Sequence, residues 1–183
     1  RQIAEVRAQG ETEWTPTGGD GFQGSAVRIN LPSGKDIIAI PYHHELSSGV
    51  AFGGLLHDGG HMARTLAASA KDGEMLCVAT DGETFGHHHA KGEMAVAYAS
   101  EQIEAMPETS LINIASWLDS HDVTTEGRIV ENSSWSCAHG VDRWYSNCGC
   151  AMAPQADTHQ EWRGPLREAL NFLRDETLPQ LET

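Results

Sequence analysis

Two clusters gather carboxylates, imidazoles and thiols at spacings that suit proton transfer or metal binding. The first is Glu74 to His89, EMLCVATDGETFGHHH, in which Asp81 and Glu83 are followed by His87, His88 and His89. Carboxylates hold or donate protons, and imidazoles donate, accept or bind metal. The apolar run Met75 to Ala79 is bounded by turn residues and reads as a buried strand. Alternation along such a strand puts Asp81 and Glu83 on one face, and Gly82 between them lets a substrate or another backbone approach. Carboxyl ends of buried strands are where α/β folds position their reacting groups. A plainer reading competes: Asp81-Gly82 as a turn dipeptide, and the histidine run as a solvated tip or adventitious metal binder.

The second cluster is Cys137-x-His139 followed by Cys148-x-Cys150. Three thiols and an imidazole match the Cys3His ligand set of a tetrahedral structural zinc, although Cys-x-Cys is tighter than the usual finger spacing. Thiolates crowd together only when a cation or a disulfide holds them. A disulfide from Cys137 to Cys148 or Cys150, an iron–sulfur centre, and reduced thiols in a loop are the other readings. Cys77, in mid-run, reads as a small buried apolar residue.

The string DGETFGHHH resembles the fourth motif of glycoside hydrolase family 57, Asp-x-Glu-x-Phe-Gly-His followed by aromatic or histidine residues. NSSWSCAHGVDRWYSNCGC (132–150) and WRGPLREALNFLRDE (162–176) resemble stretches of a bacterial subgroup whose members carry an additional domain of unknown function. Matches run in order from about Ala51 to the C-terminus and more loosely from Arg1 to Tyr42. The resemblance implies an α/β fold, part of a (β/α)7 barrel shared with certain carbohydrate deacetylases. It makes residues 1–183 a single partial catalytic domain, the later portion of the barrel, with the Cys/His loop at 132–150 and a C-terminal helix at 162–178.

Family 57 enzymes are retaining glycosidases and transglycosylases acting on α-glucans. Carried onto this sequence, the resemblance makes Asp81 the acid/base and Glu83 a supporting residue, while His87, His88 and His89 contact sugar hydroxyls. Retention needs a second carboxylate about 5–5.5 Å away as nucleophile, and an acid held protonated at rest. The family's nucleophile lies on an earlier strand, and Glu11, Glu13 and Glu45 lack its pattern, so the chain is expected to be inactive alone and to need the rest of the parent catalytic domain. His43 and His44 end a second apolar run and are placed near the same mouth, or are silent loop histidines; Trp135 and Trp144 are stacking platforms for sugar faces or core packing beside the Cys/His loop. Catalysis requires no cofactor on this reading. The alternatives are a metal-dependent carbohydrate deacetylase or hydrolase, with Asp81 and two histidines on zinc, and an inert glucan-binding module.

Hydrophobic pattern and turn residues predict the secondary structure that carries both clusters. Arg1 to Gln9 reads as the end of a helix stopped by Gly10, and the glycine-rich Glu11 to Gly24 as a loop with Trp14 and Phe22 as sugar platforms or pins. Ala26 to Leu31 and Asp36 to Tyr42 form a hairpin around Pro32 to Lys35, the second strand buried on both faces. Gly49 to Ser69 is a helix capped by Ser47 or Ser48 and broken by its glycines. Gly92 to Met106 is a helix, Leu111 to Asn113 a brief strand, Ala115 to His121 a short helix and Gly127 to Glu131 a strand. Trp162 to Leu178 is an amphipathic helix turning Leu166, Leu170, Phe172 and Leu173 to the core. Alternating strands and helices predict parallel strands.

Composition narrows the partners. Twelve basic residues against 26 acidic give a formal charge of −14, which repels nucleic acid phosphates. No apolar stretch approaches the ~20 residues of a membrane span. The N-terminus lacks a secretory pattern, and clustered cysteines suit a reducing compartment, so a cytoplasmic location is expected. The chain opens with Arg1 rather than Met and is far shorter than family 57 enzymes, which predicts a fragment with unmatched strand edges, poorly behaved alone.

Overall fold

The structure, a computed structural model, describes residues 2–18, 26–134, 136–150 and 159–181. They fall into two compact units, Ile3–Arg128 and Ile129–Thr183, with Gln2 grouping with the second.

Among its described residues the first unit carries a mixed sheet and four α-helices. Strands β1 (Ile3–Ala8), β2 (Thr15–Pro16), β3 (Val27–Asn30), β4 (Asp36–Ala39) and β5 (Thr125–Ile129) stand in the order β2-β1-β5-β3-β4. β1 and β2 are antiparallel, as are β3 and β4, whereas β3 and β5 are parallel with Arg28 opposite Glu126 and Ile29 opposite Gly127. The fold is thus α/β, but its sheet is mixed rather than parallel, because a hairpin supplies two of its strands.

The hairpin forms where turn chemistry predicts it, closed by Leu31 N–H to the Lys35 carbonyl at 2.8 Å. Its second strand is not buried on both faces: β4 is the sheet edge, and Ile37 is 57% exposed. β3, one place inward, buries Val27 and Ile29 completely or nearly so. Each such side chain contributes about 1.5–3 kcal/mol.

Residues 3–8 form β1 and not a helix. Their alternation turns charge to one side, where Arg7 Nε binds Glu126 at 2.7 Å and Glu5 accepts from Arg128 at 2.7 Å. Both guanidiniums lie over the Trp14 ring, at 4.4 and 4.1 Å. Trp14 is therefore a pin for its loop, and Phe22 lies outside the described residues.

The expected helix over 49–69 is broken as its glycines require, into α1 (His44–Ala51), a 3-10 turn (Leu55–His57) and α2 (Gly59–Ser69). Neither serine caps α1; His43 does, and Asp58 caps α2 by accepting from His61 N–H at 2.9 Å. α3 (Gly92–Glu104) packs on α2, with a core of Val50, Leu56, Met62, Ala63, Ala99 and Ile103. Residues 111–113 are not a strand; Asn113 instead caps α4 (Ile114–Ser120), which buries Trp117.

Residues 75–79 form no ladder either. An extended segment becomes a strand only beside a partner, and this one lies against the start of α1. The Cys77 carbonyl accepts from His43 N–H at 2.8 Å, and Ala79 N–H donates to Ser47 Oγ at 3.1 Å.

In the second unit, a 3-10 turn (Gly140–Trp144) precedes α5 (Arg163–Leu181). The helix has the predicted amphipathic pattern, yet none of its residues is buried: Leu166, Leu170, Phe172 and Leu173 are 49, 46, 67 and 57% exposed. Periodicity specified an apolar face but supplied no element to cover it. No helix among the described residues is long and apolar enough to cross a membrane.

Candidate functional site

Asp81 opens a 3-10 turn over Gly82–Phe85 rather than ending a strand. Its carbonyl accepts from Thr84 N–H at 3.0 Å, while its side chain makes no capping bond and stands exposed. The turn is anchored from beneath. Thr84 is 3% exposed and shares a hydroxyl hydrogen bond with Thr80 at 3.0 Å, and Phe85 packs against the α2/α3 core. His89 Nε2 lies 2.8 Å from the Ala51 carbonyl, so its ring faces the protein and not its two histidine neighbours.

Above that anchor, Glu83 gathers the other two histidines. His87 Nδ1 is 3.1 Å from one carboxylate oxygen and His88 Nε2 is 3.3 Å from the other, with the two rings stacked at 4.6 Å. The hydrogen bond from His87, then that from His88, holds the Glu83 carboxyl below the usual range. Glu83, His87 and His88 offer three ligand atoms within 4.8 Å of one another, all exposed. The structure thus unites Glu83 with His87 and His88 and leaves His89 apart.

His43 and His44 do not join them by any bond. His43 Nδ1 accepts from Leu46 N–H at 3.4 Å as the α1 cap, and borders a cavity of about 60 Å³, room for a few waters and not for a sugar ring. The His44 ring leans on Tyr42 at 6.4 Å and is exposed. Trp135 lies outside the described residues. Trp144 is 51% exposed and shares with Trp162, Arg143 and Arg167 a shallow cavity of about 260 Å³.

The second cluster closes as the ligand types predict. Cys137, His139, Cys148 and Cys150 place their ligand atoms within 4.8 Å of one another and could hold a metal ion. Cys137 Sγ lies 3.8 Å from Cys148 Sγ and 3.7 Å from His139 Nδ1, and Cys150 Sγ is 3.4 Å from the same nitrogen. All four cysteines of the chain are free thiols. The Cys150 N–H, then the Cys137 thiol and the Arg163 guanidinium, hold the Cys148 thiol below its ordinary value, while Cys137 pushes that of Cys150 up. Crowded thiols resist losing all their protons unless a cation joins them. Cys77, outside the cluster, has its thiol pushed up by burial.

Local backbone makes the cluster possible. Gly149 takes φ +76° between its two cysteines, and Gly140 takes φ +63° directly after His139, packed on the Asn132 carbonyl. Spacing alone did not reveal Gln160 and Arg163, which reach the cluster from the start of α5. Gln160 Oε1 accepts from Gly149 N–H at 3.1 Å, its Nε2 donates to the Cys150 carbonyl at 2.8 Å, and Arg163 lies 3.4 Å from Cys148 Sγ. The only sequence signal for them is their place in the stretch 162–176 and just before it.

These features define a mixed α/β protein with an anchored, solvent-facing carboxylate–histidine turn and a Cys3His cluster able to take a metal ion. A scan against protein-family models, a search of curated proteins and a search of solved structures each found no match.

Proposed function

We propose that this chain is the later part of a family 57-type catalytic domain that hydrolyses or transfers α-glucan-type chains with retention. Asp81 is its acid/base, and the nucleophilic glutamate comes from a segment outside this chain. The observation that carries the reading is the division of labour in DGETFGHHH: Thr84, Phe85 and His89 are fixed by the protein beneath, while Asp81, Glu83, His87 and His88 face solvent. An anchored turn whose Glu83, His87 and His88 are bonded to one another suits a ligand made of hydroxyls, because much of its geometry is set before binding. Asp81 is exposed, so water exclusion around its carboxyl falls to the substrate and to the segment bearing the nucleophile. The test is sugar release or transfer from a panel of α-glucans by the full-length protein, wild type against Asp81→Asn. A loss of about 10²–10⁴-fold is expected; absence of wild-type turnover on every glucan overturns the reading.

The Glu83, His87 and His88 cluster favours a second reading, a metal-dependent carbohydrate deacetylase or hydrolase in which Glu83, rather than Asp81, joins the two histidines. Activity abolished by chelation and restored by zinc selects it; activity surviving exhaustive chelation rejects it.

The Cys/His loop is proposed to hold a structural zinc. Zn–S bonds of about 2.3 Å make a tetrahedral S–S edge of about 3.8 Å and, with Zn–N of about 2.0–2.1 Å, an S–N edge of about 3.5 Å. The observed separations of 3.8, 3.7 and 3.4 Å bracket those values. Four protein ligands leave no open position for substrate, so the ion's part is to brace the loop.

A further inference from the structure

We propose that Gln160 and Arg163 are positioning residues of the Cys137–His139–Cys148–Cys150 site, so that the bound cation fastens helix α5 to the loop 132–150. The inference rests on the zinc reading and goes beyond it by assigning the ion a mechanical partner.

Among the described residues, packing does little to hold α5. None of its residues is buried, and within its unit it meets chiefly the 3-10 turn Gly140–Trp144. Nineteen residues with an exposed apolar side and Pro179 near the end gain little helical stability by themselves. What ties the helix down is polar and concentrated at its first turn.

Gln160 uses every polar group it has on the metal loop or on Arg163. Its backbone N–H donates to Asn147 Oδ1 at 3.0 Å, and its Nε2 donates to the Cys150 carbonyl at 2.8 Å. Its Oε1 accepts from Gly149 N–H at 3.1 Å and from Arg163 at 2.7 Å. The amide thereby clamps the Cys148-x-Cys150 turn from both sides. Arg163, the first residue of α5, carries the link to the ligand itself, 3.4 Å from Cys148 Sγ.

Charge gives this contact its purpose. Three thiolates, a neutral imidazole and a divalent cation sum to one negative charge, and the Arg163 guanidinium supplies the opposite one. The chain as a whole is strongly acidic, at −14, so an arginine on a thiolate offsets an otherwise unfavourable field. Outer partners that orient metal ligands commonly set affinity by about 10–100-fold. Coupling must then run both ways: the residues that raise metal affinity are fixed in place by the metal.

The experiment uses the whole chain under reducing conditions, with zinc affinity measured by competition against a chromogenic chelator and amide exchange of α5 followed with zinc and after its removal. Gln160→Ala and Arg163→Ala are expected to weaken zinc binding by about 10–100-fold, with Arg163→Lys, which keeps the charge but loses the planar fork that bridges Cys148 and Gln160, falling between wild type and Arg163→Ala. Zinc removal from the wild type is expected to speed exchange along α5, a readout that stands even if a variant misfolds. If the wild type binds one zinc but both alanine variants bind it within about twofold and α5 exchange ignores the metal, the inference fails and the zinc reading stands. If the wild type takes up no zinc, both fail together.

Discussion

Gly140 and Gly149 offer a matched pair of perturbations. Both sit in the left-handed region, at φ +63° and +76°, so an alanine at either position costs about 1–2 kcal/mol in backbone conformation. They differ in what a Cβ would meet. At Gly149 nothing lies within 4 Å, whereas at Gly140 it would collide with the Asn132 carbonyl oxygen. That oxygen accepts from Val141 N–H at 2.9 Å, so relieving the collision breaks a hydrogen bond beside the buried Gly140, although the exposed Asn132 can turn its carbonyl to water. The added cost is about 0.5–1.5 kcal/mol. Gly140→Ala should therefore cost about 1.5–3.5 kcal/mol against about 1–2 for Gly149→Ala. With a urea dependence of about 1–3 kcal/mol/M, their midpoints should separate by about 0.5 M. Tryptophan fluorescence through a urea titration reads the midpoint, and exchange at the Val141 amide reports the bond directly. Equal midpoints with Val141 still protected in Gly140→Ala would refute the close approach of Gly140 to Asn132.

Two further outcomes are expected. Leu56 is 6% exposed between the helices of the first unit, so Leu56→Ala should destabilise by about 2–5 kcal/mol in chemical denaturation, and a loss below about 1 kcal/mol would mean that the core does not close around it. The Glu83 carboxyl titrates below its ordinary 4.5 in the folded protein because His87 and His88 bond to it. A depressed folded pKa contributes stability above the unfolded value and loses it as pH falls through the folded one. Thermal midpoints of wild type and Glu83→Gln should thus differ slightly above pH 4.5 and converge below it; parallel profiles would contradict the Glu83–histidine bonds.

Local chemistry was legible in the sequence where a feature depends on neighbours in the chain. The hairpin around Pro32 to Lys35 and the break in the 44–69 helical region follow from turn residues and glycines, and both are present. The Cys/His cluster followed from ligand type, since three thiols and a histidine have few reasons to assemble. Features that depend on a distant partner were not legible. The run Met75 to Ala79 is extended as its composition suggests, but only the position of α1 determines that it bonds a helix start rather than a strand. Residues 3–8 read as a helix end because Ile3 and Val6 are three apart, whereas Glu5 and Arg7 alternate to meet Arg128 and Glu126 more than a hundred residues away. In α5 the pattern gave the apolar face correctly and said nothing of its cover. Gln160 and Arg163 belong to no spacing rule, because outer partners of a metal cluster are recruited by geometry and not by sequence distance.

On the function proposed above, Asp81 donates the proton to the departing sugar oxygen. The most direct measurement compares wild-type and Asp81→Asn full-length protein on two glycosides that differ only in leaving group, one an ordinary sugar alcohol and one an activated phenol that departs without protonation. A loss of about 10²–10⁴-fold is expected on the first and a much smaller loss on the second for glycosyl transfer to the enzyme. Equal losses on both, or none on either, would contradict it.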